Sequence, residues 1–216
     1  MSALIPKSLK LGARVMMFVD GKNLAIRFGQ VLNGSSPADH VLYRPRVYAW
    51  SQFLRGALHR WELIRIYYFT SIEGDGDTIA EVEDSLIAFG IEAPRVFKKS
   101  KTRQSKRVDI SLTTEMLNHS HRGNFDAAVL VSGDEDYVPL VEAVKGDGHR
   151  LIIWSIAKGT SPHLRKSADF YFDIAPILLT PEPECMGINL RKVASLSNAR
   201  PAKHAPPAHP AQQCLP

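Results

Sequence analysis

The sequence predicts an α/β fold of the doubly wound kind, with a mainly parallel central sheet covered by helices on both faces. Three observations predict it. Several short runs are apolar throughout instead of alternating, which marks strands buried on both sides. Stretches whose apolar residues recur at helical spacing lie between them. Breaks rich in Gly, Asp and Asn separate the two kinds.

The first strand is Arg14 to Asp20, Arg-Val-Met-Met-Phe-Val-Asp, closed by the turn dipeptide Asp20-Gly21. Leu24 to Leu32 follows as a helix, then a loop with Gly34, Ser35, Ser36 and Pro37. From Arg46 to Arg60, Val47, Trp50, Phe53, Leu54, Ala57 and Leu58 fall at helical spacing and predict a second helix. Leu63 to Thr70, rich in Ile and Tyr, is the next strand. Ile79, Val82, Leu86 and Phe89 give a helix over residues 78–89, stopped by Gly90. Ile91 to Phe97 is a further strand, and Ile110, Leu112, Met116 and Leu117 place a helix from Asp109 to about Asn118. Ala127 to Ser132 is again wholly apolar up to Ser132-Gly133-Asp134. A helix from Val138 to Lys145, a buried strand from Leu151 to Ile156, a short helix from Leu164 to Ala168 and an edge strand from Phe170 to Ile174 complete the pattern.

Composition sets bounds on what such a chain does. The 216 residues carry 27 Lys and Arg against 22 Asp and Glu, a net +5. Residues 181–216 hold 7 of the 14 prolines, both cysteines (Cys185 and Cys214) and no Phe, Trp or Tyr, so they cannot build a core. The expected organisation is an N-terminal extension over 1–12, one domain over 13–178 and a disordered Pro- and Ala-rich tail over 179–216. The domain has no cysteine, which excludes a disulfide scaffold, a thiolate zinc site and thiolate catalysis there. No apolar run reaches 18 residues, and Pro6, Lys7 and Lys10 interrupt any signal sequence, so a soluble cytoplasmic protein without membrane contact is expected. Charge is placed unevenly. Residues 1–180 carry 23 basic and 20 acidic side chains, and seven of the basic ones, Arg95, Lys98, Lys99, Lys101, Arg103, Lys106 and Arg107, lie in a 13-residue window without an acid. A mildly acidic body with one concentrated basic segment suits a protein that holds a polyanion at one place and keeps carboxylates for another purpose.

Those carboxylates have a place to meet. Two of the most apolar strands end in acid, Asp20 after Met-Met-Phe-Val and Asp134 after Val-Leu-Val-Ser-Gly, with Asp136 two residues on. Parallel neighbours open on the same edge, where doubly wound sheets carry their sites. Asp109 follows the basic window and is the fourth member. Singly, Asp20 is a turn residue and Asp109 and Asp136 are helix caps. Together, two unit charges about 4 Å apart repel by roughly 4 kcal/mol at an effective dielectric near 20, so convergence calls for a cation. An oxygen-only donor set selects a hard ion, Mg²⁺ or Mn²⁺. Such an ion lowers the pKa of an attacking water and neutralises phosphate oxygens, which is what phosphodiester hydrolysis requires. Asn23 is placed to donate to a phosphate or orient that water, and Ser132 to bond an aspartate or a phosphate. Lys98, Lys99, Lys101, Arg103, Lys106 and Arg107 would grip the nucleic-acid backbone through contacts that weaken with salt.

Phe-Val-Asp-Gly-Lys-Asn-Leu (18–24), Lys-Arg-Val-Asp-Ile (106–110) and Val-Leu-Val-Ser-Gly-Asp-Glu-Asp-Tyr-Val-Pro-Leu-Val (129–141) resemble the signature segments of NYN domains, PIN-like nucleases that include the bacterial LabA-like group. Leu164-Arg165 through Ala168-Asp169-Phe170 is similar to that group's closing segment, and the likeness spans roughly residues 13–175. The resemblance implies a PIN-like three-layer α/β/α fold. It also implies a metal-dependent ribonuclease whose acids correspond to Asp20, Asp109, Asp134 and Asp136, with Asn23 beside them and RNA, single-stranded or structured, as partner. The group commonly has Gly where Arg107 stands, and often a further Asp where Glu115 stands. Glu115 is therefore an additional candidate ligand, although six helical residues from Asp109 rotate by about 240°. Homo-oligomerisation is left open.

Two rival readings stand beside this one. Asp134-Glu135-Asp136-Tyr137-Val138 fits the Asp-x-Asp-x-Val pattern of haloacid dehalogenase-like phosphatases, but that motif usually opens its fold and here it comes late. The other rival is a non-catalytic RNA-binding or regulatory module that keeps the acids as caps. There is no Gly-x-x-x-x-Gly-Lys-Ser/Thr loop, no His-Glu-x-x-His and no Gly-x-Ser-x-Gly.

Overall fold

Residues 9–99 and 106–180 are described by the structure, a computed structural model of the chain. The expected N-terminal extension lies mostly outside them, as does the expected tail. Strand β1 (Arg14–Asp20) runs directly into α1 (Gly21–Leu32), and β2 (Val41–Arg44) and β3 (Tyr48–Ser51) come next, followed by α2 (Gln52–Gly56). After β4 (Glu62–Ile72) come α3 (Gly76–Ala88), β5 (Ala93–Lys98) and α4 (Lys106–His121). The second half holds β6 (Ala127–Val131), a 3₁₀ turn (Glu135–Tyr137), α5 (Val138–Gly146), β7 (Arg150–Ser155), α6 (Pro162–Ser167), β8 (Phe170–Asp173) and α7 (Ala175–Leu179).

Six strands form one sheet in the order β5-β4-β1-β6-β7-β8, and all five pairings are parallel. Counting only those strands gives the 3-2-1-4-5-6 order of doubly wound sheets, whose direction of winding reverses between the first and fourth. That switch point falls between β1 and β6, the two strands that end in the conspicuous acids. Both faces are covered, as wholly apolar strands require. Val15, Met17 and Val19 of β1 join Val129 and Val131 of β6 in one core under α1, the β2-β3 hairpin and α7. Met16, Phe18, Ala128 and Leu130 join Val108, Leu112 and Met116 of α4 and Leu140, Val141 and Val144 of α5 in the other. The period-2 alternation of a strand thus assigns Asp20 and Ser132 to the α4 and α5 side.

The predicted helix over residues 46–60 is largely replaced. Only Gln52–Gly56 is helical, and residues 41–51 form an antiparallel hairpin, Val41 opposite Ser51 and Arg44 opposite Tyr48. All four residues of β3 are buried. The Tyr68 hydroxyl, rising from β4, explains the difference: it donates to Ala49 C=O and accepts from Ala49 N–H, both at 3.1 Å. Thr70 Oγ1 donates to Val47 C=O in the same way. A helix would have closed those backbone groups on itself, so tertiary partners decided between two patterns that the apolar spacing alone did not separate. Helix α7 is an element that the spacing did not predict.

The hairpin turns at Arg44-Pro45-Arg46-Val47, where Val47 N–H donates to Arg44 C=O at 3.0 Å. Pro at the second position and φ of +60° at Arg46 give the form of a type II turn. That third position ordinarily takes Gly or Asn, and a side chain held in the left-handed region costs about 1–2 kcal/mol. At Gly21 the need for glycine is different. Its φ is not positive, but a Cβ there would stand 2.0 Å from the Tyr68 ring, so Asp20-Gly21 is a strand-to-helix junction pressed on an aromatic side chain and not a free turn.

Tyr68→Phe leaves the buried Ala49 N–H and C=O without partners, and each such group costs about 1–3 kcal/mol. The expected result is a thermal midpoint at least about 4 °C lower, followed by circular dichroism. An unchanged midpoint would show that the hairpin is held by other contacts.

Candidate active site

Asp20 closes the central strand and caps α1, its Oδ1 accepting from Asn23 N–H at 3.0 Å. It is 4 % exposed. Its other oxygen accepts from Ser132 Oγ and from the Tyr137 hydroxyl, both at 3.4 Å. The same hydroxyl stands 3.3 Å from Asp109 Oδ1, so one buried phenol touches carboxylates from β1 and from the first turn of α4. Asp134 caps the 3₁₀ turn by accepting from Asp136 N–H at 3.2 Å, while Ser132 Oγ accepts from Asp134 N–H. Asn23 reaches across the switch point, its carbonyl oxygen accepting from Gly133 N–H at 3.1 Å. That bond commits the oxygen end of the amide and leaves the NH₂ end as its donor.

The electrostatics follow from burial. Loss of water pushes the Asp20 carboxyl up to about 7, helped by the negative charges of Asp109 and Asp134 and opposed by the Asn23 and Ser132 hydrogen bonds. Asp109 is also raised, first by burial and then by Asp134 and Asp136, while the Tyr137 hydroxyl and the ammonium of Lys22 pull it down. Burial drives the Tyr137 phenol upward, reinforced by Asp20 and Asp109, so it stays protonated. A phenol has one proton and cannot donate to two carboxylates at once. Three acids therefore influence one another at the carboxyl edge of β1 and β6, and Asp136 bears on Asp109 from an exposed position.

The remaining sequence candidates are less uniform. Glu115 lies on α4 with its carboxylate 3.5 Å from His119 Nε2, and the structure does not bring it to the aspartates; the helical rotation from Asp109 carries it away. Ser132 is 1 % exposed, so its hydroxyl serves Asp20 and Asp134 and does not present itself to a passing phosphate. Lys98 is exposed at the end of β5, Lys99 bonds Glu73 at 2.6 Å, and the Arg107 guanidinium sits 5.5 Å over the Phe97 ring. Lys106 begins α4. Lys101 and Arg103 lie outside the described residues. Two residues that the sequence reading did not single out belong to the site, Tyr137 and Lys22. Tyr137 stands in the Asp-Glu-Asp-Tyr segment as a plain apolar residue by spacing, and only its hydroxyl's neighbours set it apart.

Whether these residues suit a metal can be judged from the donors. They are all oxygen, and the most buried of them carries an ionisation penalty that a cation would relieve. Among the described residues, however, no three His, Cys, Asp or Glu side chains stand close enough to form a closed metal cage. The fit is to an ion held by one or two carboxylates and completed by water and phosphate oxygens, the manner of Mg²⁺, and not to a dedicated all-protein site.

A doubly wound parallel sheet with aspartates gathered at its switch point defines an α/β domain with an acidic edge. The NYN domain model matches residues 14–176, from the first residue of β1 into α7, and the chain belongs to that family, a branch of the PIN-like nuclease superfamily. Among solved structures, a protein of unknown function from Vibrio parahaemolyticus shares the fold with a TM-score of 0.60 at 18 % identity, over 80 % of this chain and 99 % of that one. A search of curated proteins gave no match. No helix among the described residues is long and apolar enough to cross a membrane.

The raised Asp20 carboxyl makes a signed prediction for the metal-free protein. Its native value lies above the ordinary carboxylate value near 4, so its stabilising contribution is fully present below about pH 4 and is lost as pH rises through about 7. Asp20→Asn keeps an oxygen to cap α1 and removes the buried charge. In EDTA at pH 8 the variant should melt several degrees above wild type, by stability on the order of a few kcal/mol, and the gap should close towards pH 4. Equal midpoints at pH 8 would mean that Asp20 is hydrated and not buried as described.

Proposed function

We propose that this chain is a metal-dependent nuclease that hydrolyses RNA phosphodiester bonds at the carboxyl edge of β1 and β6. The observation that carries the reading is the shared contact of Asp20 and Asp109 with the Tyr137 hydroxyl, which draws acids about 90 residues apart in sequence to one point. Family membership supports the reaction class, and RNA as substrate follows the family likeness. One or two of Asp20, Asp109 and Asp134 would bind a Mg²⁺ or Mn²⁺ ion directly, with the remaining carboxylate reaching it through water and Asp136 at the exposed rim. When bound, that ion would supply an activated water and neutralise charge on the phosphate. The chain's own groups do the positioning. Ser132, Tyr137 and the Asn23 N–H fix the Asp20 carboxylate, and the Asn23 NH₂ is available to a phosphate oxygen or a water. The Tyr137 hydroxyl, kept protonated, stands between the Asp20 and Asp109 oxygens and donates to one of them at a time without adding charge.

The test is a 5′-labelled single-stranded RNA incubated with Mn²⁺ and with EDTA. Cleavage is expected only with Mn²⁺. Asp109→Asn or Asp134→Asn should lower the rate by at least about 100-fold, as losing a transition-state charge contact does, with the melting temperature kept within a few degrees. Binding under both conditions with cleavage under neither would instead identify a non-catalytic RNA-binding module. Release of inorganic phosphate from small monoesters would favour the phosphatase reading.

A further inference from the structure

An open groove of 530 Å³ runs between the hairpin turn and the carboxyl end of β4, lined by Lys22, Arg44, Arg46, Ser71, Glu73 and Lys99 among others. Four of those six side chains are cationic. Lys22 sits two residues after Asp20 and bears directly on the charge of Asp109, so the groove and the carboxylate site share a wall. In the sheet Asp20 stands opposite Phe69, and Ser71 and Ile72 of the groove lie two and three residues further along that strand, Ile72 at its end. The far wall is the turn Arg44-Pro45-Arg46-Val47. Both arginines are exposed, and neither guanidinium has a hydrogen bond or ion pair with another described residue. The turn beneath them is firmly seated, because Val47 C=O accepts from Thr70 and Ala49 is held at both backbone groups by Tyr68.

Arg46 is the informative residue. It occupies a left-handed backbone position, φ +60°, that glycine would fill without strain, and its guanidinium gains no partner among the described residues for doing so. Two like charges on one tight turn also repel each other. A local choice that works against stability, on a rigid support facing a cationic groove, is explained by a ligand that both guanidiniums meet. Phosphodiester oxygens suit them, since guanidinium presents a planar fork of donors to phosphate. We infer that this groove is the track on which a single-stranded RNA backbone is held beside the carboxylate site, with Arg44 and Arg46 as its outer phosphate contacts; the identity of the strand rests on the nuclease reading above.

The experiment measures binding of the full chain to a labelled single-stranded RNA by fluorescence anisotropy in EDTA, across a salt series. Arg46→Gly and the double variant Arg44→Gln/Arg46→Gly are compared with Arg60→Gln, which removes an exposed positive charge before β4, at the opposite edge of the sheet. The double variant should bind about tenfold more weakly at low salt, with the slope of log affinity against log salt reduced by about 1.4, or 0.7 per lost phosphate contact. Arg60→Gln should leave both unchanged. Arg46→Gly alone should lose affinity while its melting temperature stays level or rises by up to about 3 °C, a pairing that a purely structural arginine does not produce. The inference falls if the double variant binds with wild-type affinity and slope, or loses no more than Arg60→Gln. Arginine-dependent binding without Mn²⁺-dependent cleavage would remove the nuclease reading and leave the track. Cleavage in Mn²⁺ with unchanged binding in the double variant would do the reverse.

Discussion

A carboxylate at the end of a strand covered on both faces has lost most of its water, and the way Asp20 answers that loss organises the centre of the molecule. Three donors reach it, from the start of α1, from the end of β6 and from the 3₁₀ turn beyond. They do not offset the cost of burial, because its carboxyl still stands well above the ordinary range. The fold then adds further acids, bringing Asp109 to the same hydroxyl and Asp134 into electrostatic reach, and the ammonium of Lys22 opposes only part of their combined charge at Asp109, whose carboxyl remains raised. Charges of one sign gathered in a poorly hydrated place destabilise the chain that holds them unless something positive binds there. That imbalance, more than any single distance, is the reason for reading the edge as a site and not as a set of helix caps.

The hairpin between α1 and β4 is an addition to the doubly wound plan, and it shows how such a plan gains a surface. Parallel strands need a crossover, and here the crossover carries two short antiparallel strands whose backbone is pinned to the side chains of Tyr68 and Thr70. Tyr68 serves two purposes, since its ring lies where a side chain on Gly21 would be. The glycine lets α1 begin directly under the capping carboxylate of Asp20, and the phenol beyond it fixes the hairpin. Replacing one aromatic residue would loosen both the acidic edge and the arginine-bearing turn.

Legibility in the sequence differed from element to element for physical reasons. The inner strands β1, β6 and β7 and the second half of β4 were readable because burial on both faces leaves an apolar run that little else imitates, and β8 could be seen to be an edge strand from its mixed composition. Over 46–60 the spacing of Val47, Trp50, Leu54 and Leu58 satisfies a helical period, and the strand within it, buried at all four positions, shows no alternation to oppose that reading. The partner that selected the strand, Tyr68, lies 19 residues away from Ala49. For the aspartates, the acid after an apolar strand was a signal in the chain itself. Their common contact was not, because Tyr137 has the spacing of a core residue and only its hydroxyl's position makes it part of the site. Glu115 is drawn to His119 by a helical rotation that a list of motifs does not carry, and of the two roles open to Ser132 burial leaves the bond to Asp20.

By itself the sequence determined the class of fold, the edge of the sheet at which acids end their strands, and the absence of thiol chemistry from the domain. Those properties are written in composition and in periods of two and of 3.6 residues, which each segment expresses locally. Only the tertiary structure decided which carboxylates share a hydroxyl, which basic residues line a groove beside them, and that the second predicted helix is a hairpin. Each of these depends on the order of strands across the sheet and on side chains from distant segments meeting at one edge. Long-range contacts of that kind have no period to betray them.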